Sequence, residues 1–189
     1  MNYTDVSICS KALLKVGAQT ITSFEDGSAE AEVAANLYPL VRDSLLSAYP
    51  WSFAILQKRL ARLDTTPLAD YQYAYQLPAD CLRIISAGTG NRGRGAEYRI
   101  YENKIYTNAE ELIVTYISRI DENIFPSFFQ EALVAALAYE FCLPLTESTS
   151  RAEHLQKRAE DILKHAKLTD SQQATPLKFE DFTLIEARQ

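Results

Sequence analysis

The sequence predicts a mainly α-helical protein with a β insertion, and three observations carry that prediction. Apolar residues recur at helical spacing near the N-terminus, the period drops to two between about residues 70 and 120, and helical spacing returns after Pro126. The economical architecture is a helical bundle built from both chain ends, with a small antiparallel β unit between them and an extended C-terminal arm. In domain terms, residues 1–168 form one body, with its β-rich insertion at about 70–120, and residues 169–189 form the arm.

The first helix is expected from Thr4 to Val16, where Val6, Cys9, Leu13 and Val16 make one stripe and Gly17 stands at the C-terminal cap. Ser28 is the N-cap of a second helix reaching about Ala48, with Glu30 and Glu32 near its positive end. Its apolar face is read as Val33, Leu37, Leu40, Val41, Leu45 and Ala48. Pro39 lies inside it and should bend or interrupt it. Residues 52–63 fit either a helix, through Phe53, Leu56, Leu60 and Leu63, or an extended arm.

Tyr71, Tyr73, Tyr75 and Leu77 then share one side of a strand that Pro78 stops, and Cys81 to Ile85 is a second short strand. Gly88 to Gly95 is a flexible connection. Glu97–Tyr101 and Lys104–Tyr106 read as a hairpin about Glu102-Asn103, and Glu111–Ile120 as a further strand. Ser127 and Gln130 make a capping box for a helix that Pro144 ends. Ser150 and Glu153 make another, opening a helix with Ala152, Leu155, Ala159, Ile162 and Ala166 inward and the pairs Glu153–Lys157 and Glu160–Lys164 outward. Beyond Leu168 the chain is polar to Pro176, then alternates Leu177 with Phe179 and Phe182 with Leu184, followed by Ile185. An extended strand there would show apolar groups to a partner.

Composition narrows the function. The 189 residues carry 19 basic and 25 acidic side chains, a net charge of −6, which disfavours gripping nucleic acid by charge. No basic segment followed by an apolar run opens the chain, and no apolar stretch approaches ~18 residues, so neither a secretory signal nor a membrane span is expected. Cys9, Cys81 and Cys142 lie far apart without a CxxC pair and read as reduced, buried small hydrophobes. The 11 tyrosines suit either strands or an interface.

Candidate chemistry is sparse, and no catalytic residue, cofactor or metal is expected. Gly88-Thr-Gly90-Asn-Arg-Gly93 matches GxGxxG, but the dinucleotide fingerprint needs a helix after it and a strand-like segment follows. His154 and His165 share nearly one helix face yet stand about 16 Å apart, too far to hold one metal. No GxSxG, HExxH or P-loop occurs. Carboxylate pairs such as Asp64 with Asp70, or Glu110 with Glu111, are what chance supplies among 25 acids. Trp51, after Pro50 and before Phe53, reads as a structural anchor where the bundle meets the insertion.

Several segments taken in order carry a resemblance. They are Leu13-Leu-Lys-Val-Gly-Ala18, Ile21-Thr-Ser-Phe24, Arg42-Asp-Ser-Leu-Leu46, Tyr49-Pro-Trp-Ser-Phe-Ala54, Tyr73-Ala-Tyr-Gln-Leu-Pro-Ala-Asp-Cys-Leu82, and the aromatic helix after Phe125-Pro126. Over about residues 5–168 the chain resembles the head-to-tail adaptor (connector) proteins of tailed bacteriophages, the tail tubular protein A-like group. The resemblance implies a structural, non-enzymatic virion protein at the head–tail junction, assembled in the host cytoplasm. It implies a ring of roughly twelve neighbouring subunits beneath the portal protein, docking a tail or nozzle protein, with no membrane. DNA would pass through the channel without specific binding, and an acidic wall would let the duplex slide. It further implies that the arm reaches the portal or a neighbouring subunit through Leu177, Phe179, Phe182, Leu184 and Ile185. Some members of the group degrade peptidoglycan, so the alternative is a virion hydrolase using a carboxylate pair.

Overall fold

The structure, a computed structural model, describes residues 4–90 and 93–173. Helix α1 (Asp5–Val16) opens with a reciprocal cap: Ser7 N donates to Thr4 Oγ1 at 3.2 Å and Thr4 N donates to Ser7 Oγ at 3.0 Å. Gly17, at φ 79°, closes it in the left-handed region that a side chain would strain. Helix α2 (Ala29–Ala48) is capped by Ser28 Oγ, which accepts from Ala31 N at 3.2 Å. It runs through Pro39 without a break.

The buried face of α2 differs from the expected stripe. Ala31, Ala34, Tyr38, Leu45 and Leu46 are buried, whereas Val33, Leu37 and Val41 are half-buried and Leu40 and Ala48 exposed. Small alanines let the helix approach its neighbour closely, and that approach turns the branched residues onto a flank. A 3-10 turn (Ser52–Ala54) then leads directly into strand β1 (Ile55–Arg59), so the ambiguous stretch is extended and the β unit begins at Ile55, well before residue 70.

The remaining strands are β2 (Tyr73–Gln76), β3 (Cys81–Gly88), β4 (Arg99–Tyr101), β5 (Lys104–Thr107) and β6 (Ile113–Ser118). They make two small antiparallel sheets, ordered β1-β6-β3 and β2-β5-β4. Ile55 pairs with Ile117 in the first and Tyr73 with Thr107 in the second. Between β4 and β5, Glu102 and Asn103 have φ of 48° and 59°, the two left-handed positions that a type I′ hairpin requires.

Helix α3 (Ser127–Thr146) starts after Pro126 without the expected capping box; Gln130 Nε2 instead donates to the carbonyl of Phe125 at 2.7 Å. It continues past Pro144, although the ring removes one intrahelical N–H and crowds the carbonyl four residues back, and ends where Glu147 turns left-handed at φ 53°. Helix α4 (Thr149–Ser171) follows with Ser148 at its N-cap position, which places Ser150 inside the helix and removes the second box. Ala152 and Ala166 are buried and Leu155, Ala159 and Ile162 half-buried, as expected. Lys164 pairs with Asp161 at 3.4 Å rather than with Glu160, and the helix runs three residues beyond Leu168.

Helix α3 packs on α1, α2 and α4. Its apolar residues lie on every side, the pattern of a helix enclosed by others. By length and composition it could also cross a membrane, contrary to the expectation that no stretch approaches that length; here Phe129, Leu133, Leu137 and Phe141 are fully buried within the protein. A second, smaller core of Leu60, Tyr75, Ile105, Leu112, Val114 and Tyr116 lies within the β unit. Cys9 and Cys142 are buried, and burial, then the nearby Asp5 charge, pushes the Cys9 thiol up to about 12. Cys81 is only half-buried, because its strand sits at a sheet edge.

Candidate interaction surfaces

The helices and sheets meet at an aromatic cluster. Trp51 is fully buried, and its indole N–H donates to the carbonyl of Leu45 at 2.9 Å. Its ring lies 4.9 Å from Tyr49 and 5.0 Å from Phe129, both edge-on, while Phe53 stacks edgewise on Phe129 at 5.0 Å and Phe125 at 6.3 Å. The end of α4 is fastened to the same place. Asp170, 3% exposed, accepts from Ser52 N at 3.1 Å and Ser52 Oγ at 2.7 Å. Thr169–Ser171 are therefore part of the folded body rather than of an arm. The expected contact residues Leu177, Phe179, Phe182, Leu184 and Ile185 lie outside the described residues.

A polar network locks α2 to the connection between β6 and α3. Glu122 Oε1 accepts from Tyr38 Oη at 2.8 Å and from Arg42 at 3.1 Å. Asp43 accepts from Arg42 at 2.9 Å and from Arg119 Nε at 3.0 Å. Burial alone would raise the Asp43 and Glu122 carboxyls, but their donors overcome it and hold both below the ordinary range. Burial, helped by the carboxylate of Glu122, pushes the Tyr38 phenol up. Asp80 adds a second tie: it accepts from Ser118 Oγ at 2.6 Å and Tyr116 Oη at 3.2 Å, and its carbonyl accepts from Arg119 N at 2.7 Å. The Ser118 hydroxyl is the main reason that the Asp80 carboxyl is held low. Burial, then the Asp80 charge, pushes the Tyr116 phenol up to about 12.

The other sequence candidates stay apart. Gly88 ends β3 and pairs with Gly95, Ala96 N donates to the carbonyl of Ala87 at 3.0 Å, and Ser86 Oγ donates to the carbonyl of Gly93 at 2.7 Å. The described part of the glycine loop is thus tied back onto the sheet. At Gly93 a Cβ would come within 2.9 Å of Thr115 Oγ1, so this glycine serves close packing rather than a phosphate. Arg92 is outside the described residues. His154 and His165 are exposed on α4, and Glu111 pairs with Arg59 at 2.6 Å on the surface. Asp64 and Asp70 are exposed in the connection between β1 and β2. Among the described residues no three His, Cys, Asp or Glu side chains gather closely enough for a metal.

Two flanks of the helical part were not legible in the sequence. On one, α2, α3 and α4 enclose an open groove of about 570 Å³ floored by Leu37, Tyr139 and Ala152 and rimmed by Glu140 and Glu153. It runs into a second hollow of about 340 Å³ beside Leu40 and Val41. Leu40 and Leu143 are 68% and 52% exposed along this trough. On the other flank, a hollow of about 240 Å³ between α1, α3 and α4 is bordered by Lys15, Leu155 and Arg158. Leu14, the residue before Lys15 on α1, is 64% exposed. Burial first, and the Arg158 charge second, lower the Lys15 ammonium, with Glu131 partly compensating. The signal that could have revealed the trough was the surplus of large apolar residues on α2, more than its alanine face can bury. No protein-family model matches the chain, and no curated protein matches it.

Proposed function

We propose that this protein is a structural head-to-tail adaptor of a tailed phage or prophage. Its subunits form a ring of roughly twelve beneath the portal protein, extend the DNA channel and dock a tail or nozzle protein. In this reading the four helices act as a bundle contributed by both chain ends, and the β unit projects from it.

One observation carries the reading. Three of the segments that bear the family resemblance, though scattered along the sequence, meet the single stretch from Ser118 to Phe129. Asp43 of Arg42-Asp-Ser-Leu-Leu46 binds Arg119, Asp80 of Leu-Pro-Ala-Asp binds Ser118 and Arg119, and Trp51 and Phe53 stack on Phe125 and Phe129. These residues serve to set the angle between helices and sheets, which is what a ring component must hold constant. They line no cleft. Among the described residues, the carboxyls with displaced proton affinity, Asp26, Asp43, Asp80 and Glu122, are held low, whereas the acid of a glycosidase must be held high.

The test is electron microscopy of the full chain mixed with the portal protein encoded alongside it. A closed ring seated on the portal is the expected outcome; absence of binding overturns the reading, and peptidoglycan cleavage by the purified chain replaces it with the hydrolase. The arm is tested by truncation. Because Asp170 belongs to the folded body, the cut belongs after Gln173 and not after Leu168. The shortened chain should melt nearly as the parent does and lose portal binding; undiminished binding overturns the docking role of Leu177, Phe179, Phe182, Leu184 and Ile185.

A further inference from the structure

We infer that copies of this chain meet head to tail, the acidic-rimmed apolar trough of one receiving the Leu14, Lys15 and Arg158 edge of the next. The inference deepens the ring reading and rests on it for the requirement that copies touch at all. The surfaces themselves are argued from geometry and charge.

The two surfaces lie on nearly opposite flanks of the α3–α4 pair. At 100° per residue, Glu153 of the trough and Arg158 of the basic edge are about 140° apart around α4. Glu140 of the trough and Ala138 beneath the basic edge are about 160° apart around α3. Helix α2 supplies Leu37, Leu40 and Val41 to one flank, and α1 supplies Lys15 to the other, with the exposed Leu14 next to it in the chain. A contact between two different, opposite surfaces is heterologous, and repetition of it generates a ring or a filament rather than a closed dimer.

Charge selects the pairing. Trough against trough would set Glu140 and Glu153 against themselves, and edge against edge would do the same to Lys15 and Arg158. Trough against edge brings Glu140 and Glu153 to Lys15 and Arg158. Lys15 and Arg158 repel each other within one subunit, a repulsion that Glu131 offsets in part and incoming carboxylates relieve further. Shape agrees with charge. Leu14 is a projecting apolar side chain, and the trough is an open apolar hollow with ample room for it.

The experiment uses the full chain with Cys81→Ser, since Cys9 and Cys142 are buried. Leu14→Cys and Leu40→Cys are introduced together and singly, and a short bismaleimide is applied to the free protein at high concentration and to the portal-bound protein. The double variant should give a ladder of dimers, trimers and higher species in at least one state, while each single variant stays monomeric on a denaturing gel. Lys15→Glu with Arg158→Glu should cut the ladder about tenfold, and Glu140→Lys with Glu153→Lys should do likewise. Combining all four on one chain should restore it, which separates charge pairing from misfolding. Dimers from either single variant, a ladder indifferent to both reversals, or no ladder in either state overturns the contact. A portal-bound ring without the cross-link sinks the contact and leaves the adaptor reading standing. A ladder without portal binding does the opposite.

Discussion

Around α3, 25 apolar side chains among the described residues form one continuous core, from Ile8 to Ala166, whereas eight do so within the β unit. The large core closes on volume: Trp51, Phe129, Phe141 and a row of leucines fill the space between helices, and alanines on α2 and α4 let those helices approach. The small core relies more on fixed backbone and polar ties. Tyr75 Oη donates to the carbonyls of Ala109 and Glu110 at 2.8 and 2.6 Å, Gly93 lies where a methyl would not fit, and the hairpin depends on two left-handed residues. Strand β6 belongs to both, with Ile117 in the helical core and Val114 and Tyr116 in the other. The lesson of the difference is that the two parts fail by different routes but share one strand.

Four measurements would break or sharpen that contrast. The largest effect is expected from Trp51→Ala, which empties the centre of the aromatic cluster and leaves the Leu45 carbonyl without its donor; urea unfolding should show a loss of about 3–5 kcal/mol. A variant that melts like the parent would place Trp51 outside the stabilising core. Next, Ile105→Ala should cost about 2–3 kcal/mol, at the low end for its type because a small core can partly collapse. Fluorescence of Trp51 and far-ultraviolet circular dichroism should report one shared transition through β6; two separated transitions would make the cores independent.

The third concerns acid. Asp43 and Glu122 are held below their ordinary values of 3.8 and 4.5, so their contribution is complete above those values and is lost as the pH falls through the lower folded-state values. Asp43→Asn should therefore cost about 1–2 kcal/mol at pH 7, discounted for the half-exposed Arg119. The gap between variant and parent should begin to close as the pH falls below 3.8 and vanish only below the lower folded-state value; a gap that persists in strong acid would show that the charge is not what the network uses. The smallest effect is a gain. Glu102→Asn places a residue tolerant of positive φ at the first hairpin position and should stabilise the β unit by about 0.5 kcal/mol in thermal melts. No change would mean that the turn is not strained.

The exposed flank of α2 shows why part of the surface escaped sequence reasoning. Leu37, Leu40 and Val41 have the spacing of a buried stripe, and periodicity alone cannot distinguish a stripe that meets the protein's own core from one left for a partner. The caps show the same limit at shorter range: Ser127 with Gln130 and Ser150 with Glu153 have the right spacing, yet neither side chain caps its helix, because the helix starts elsewhere. Ser28 succeeded because it stands at a sharp boundary after the turn about Asp26-Gly27.

The sequence by itself determined what depends on neighbours within a turn or two. That covers α1 with its Gly17 stop, the span of α2, the β4–β5 hairpin about Glu102-Asn103, the inward face of α4, and the change from helix to strand and back. Local backbone preference and periodicity suffice for these. Only the tertiary structure decided the fate of residues 52–63, the split into two sheets, the rotation of α2 about its axis, and the reach of α4 to Asp170. Each turns on a contact between residues far apart in the chain, such as Asp170 with Ser52 or Ile55 with Ile117, and no local pattern encodes which distant partner an apolar or acidic side chain will meet.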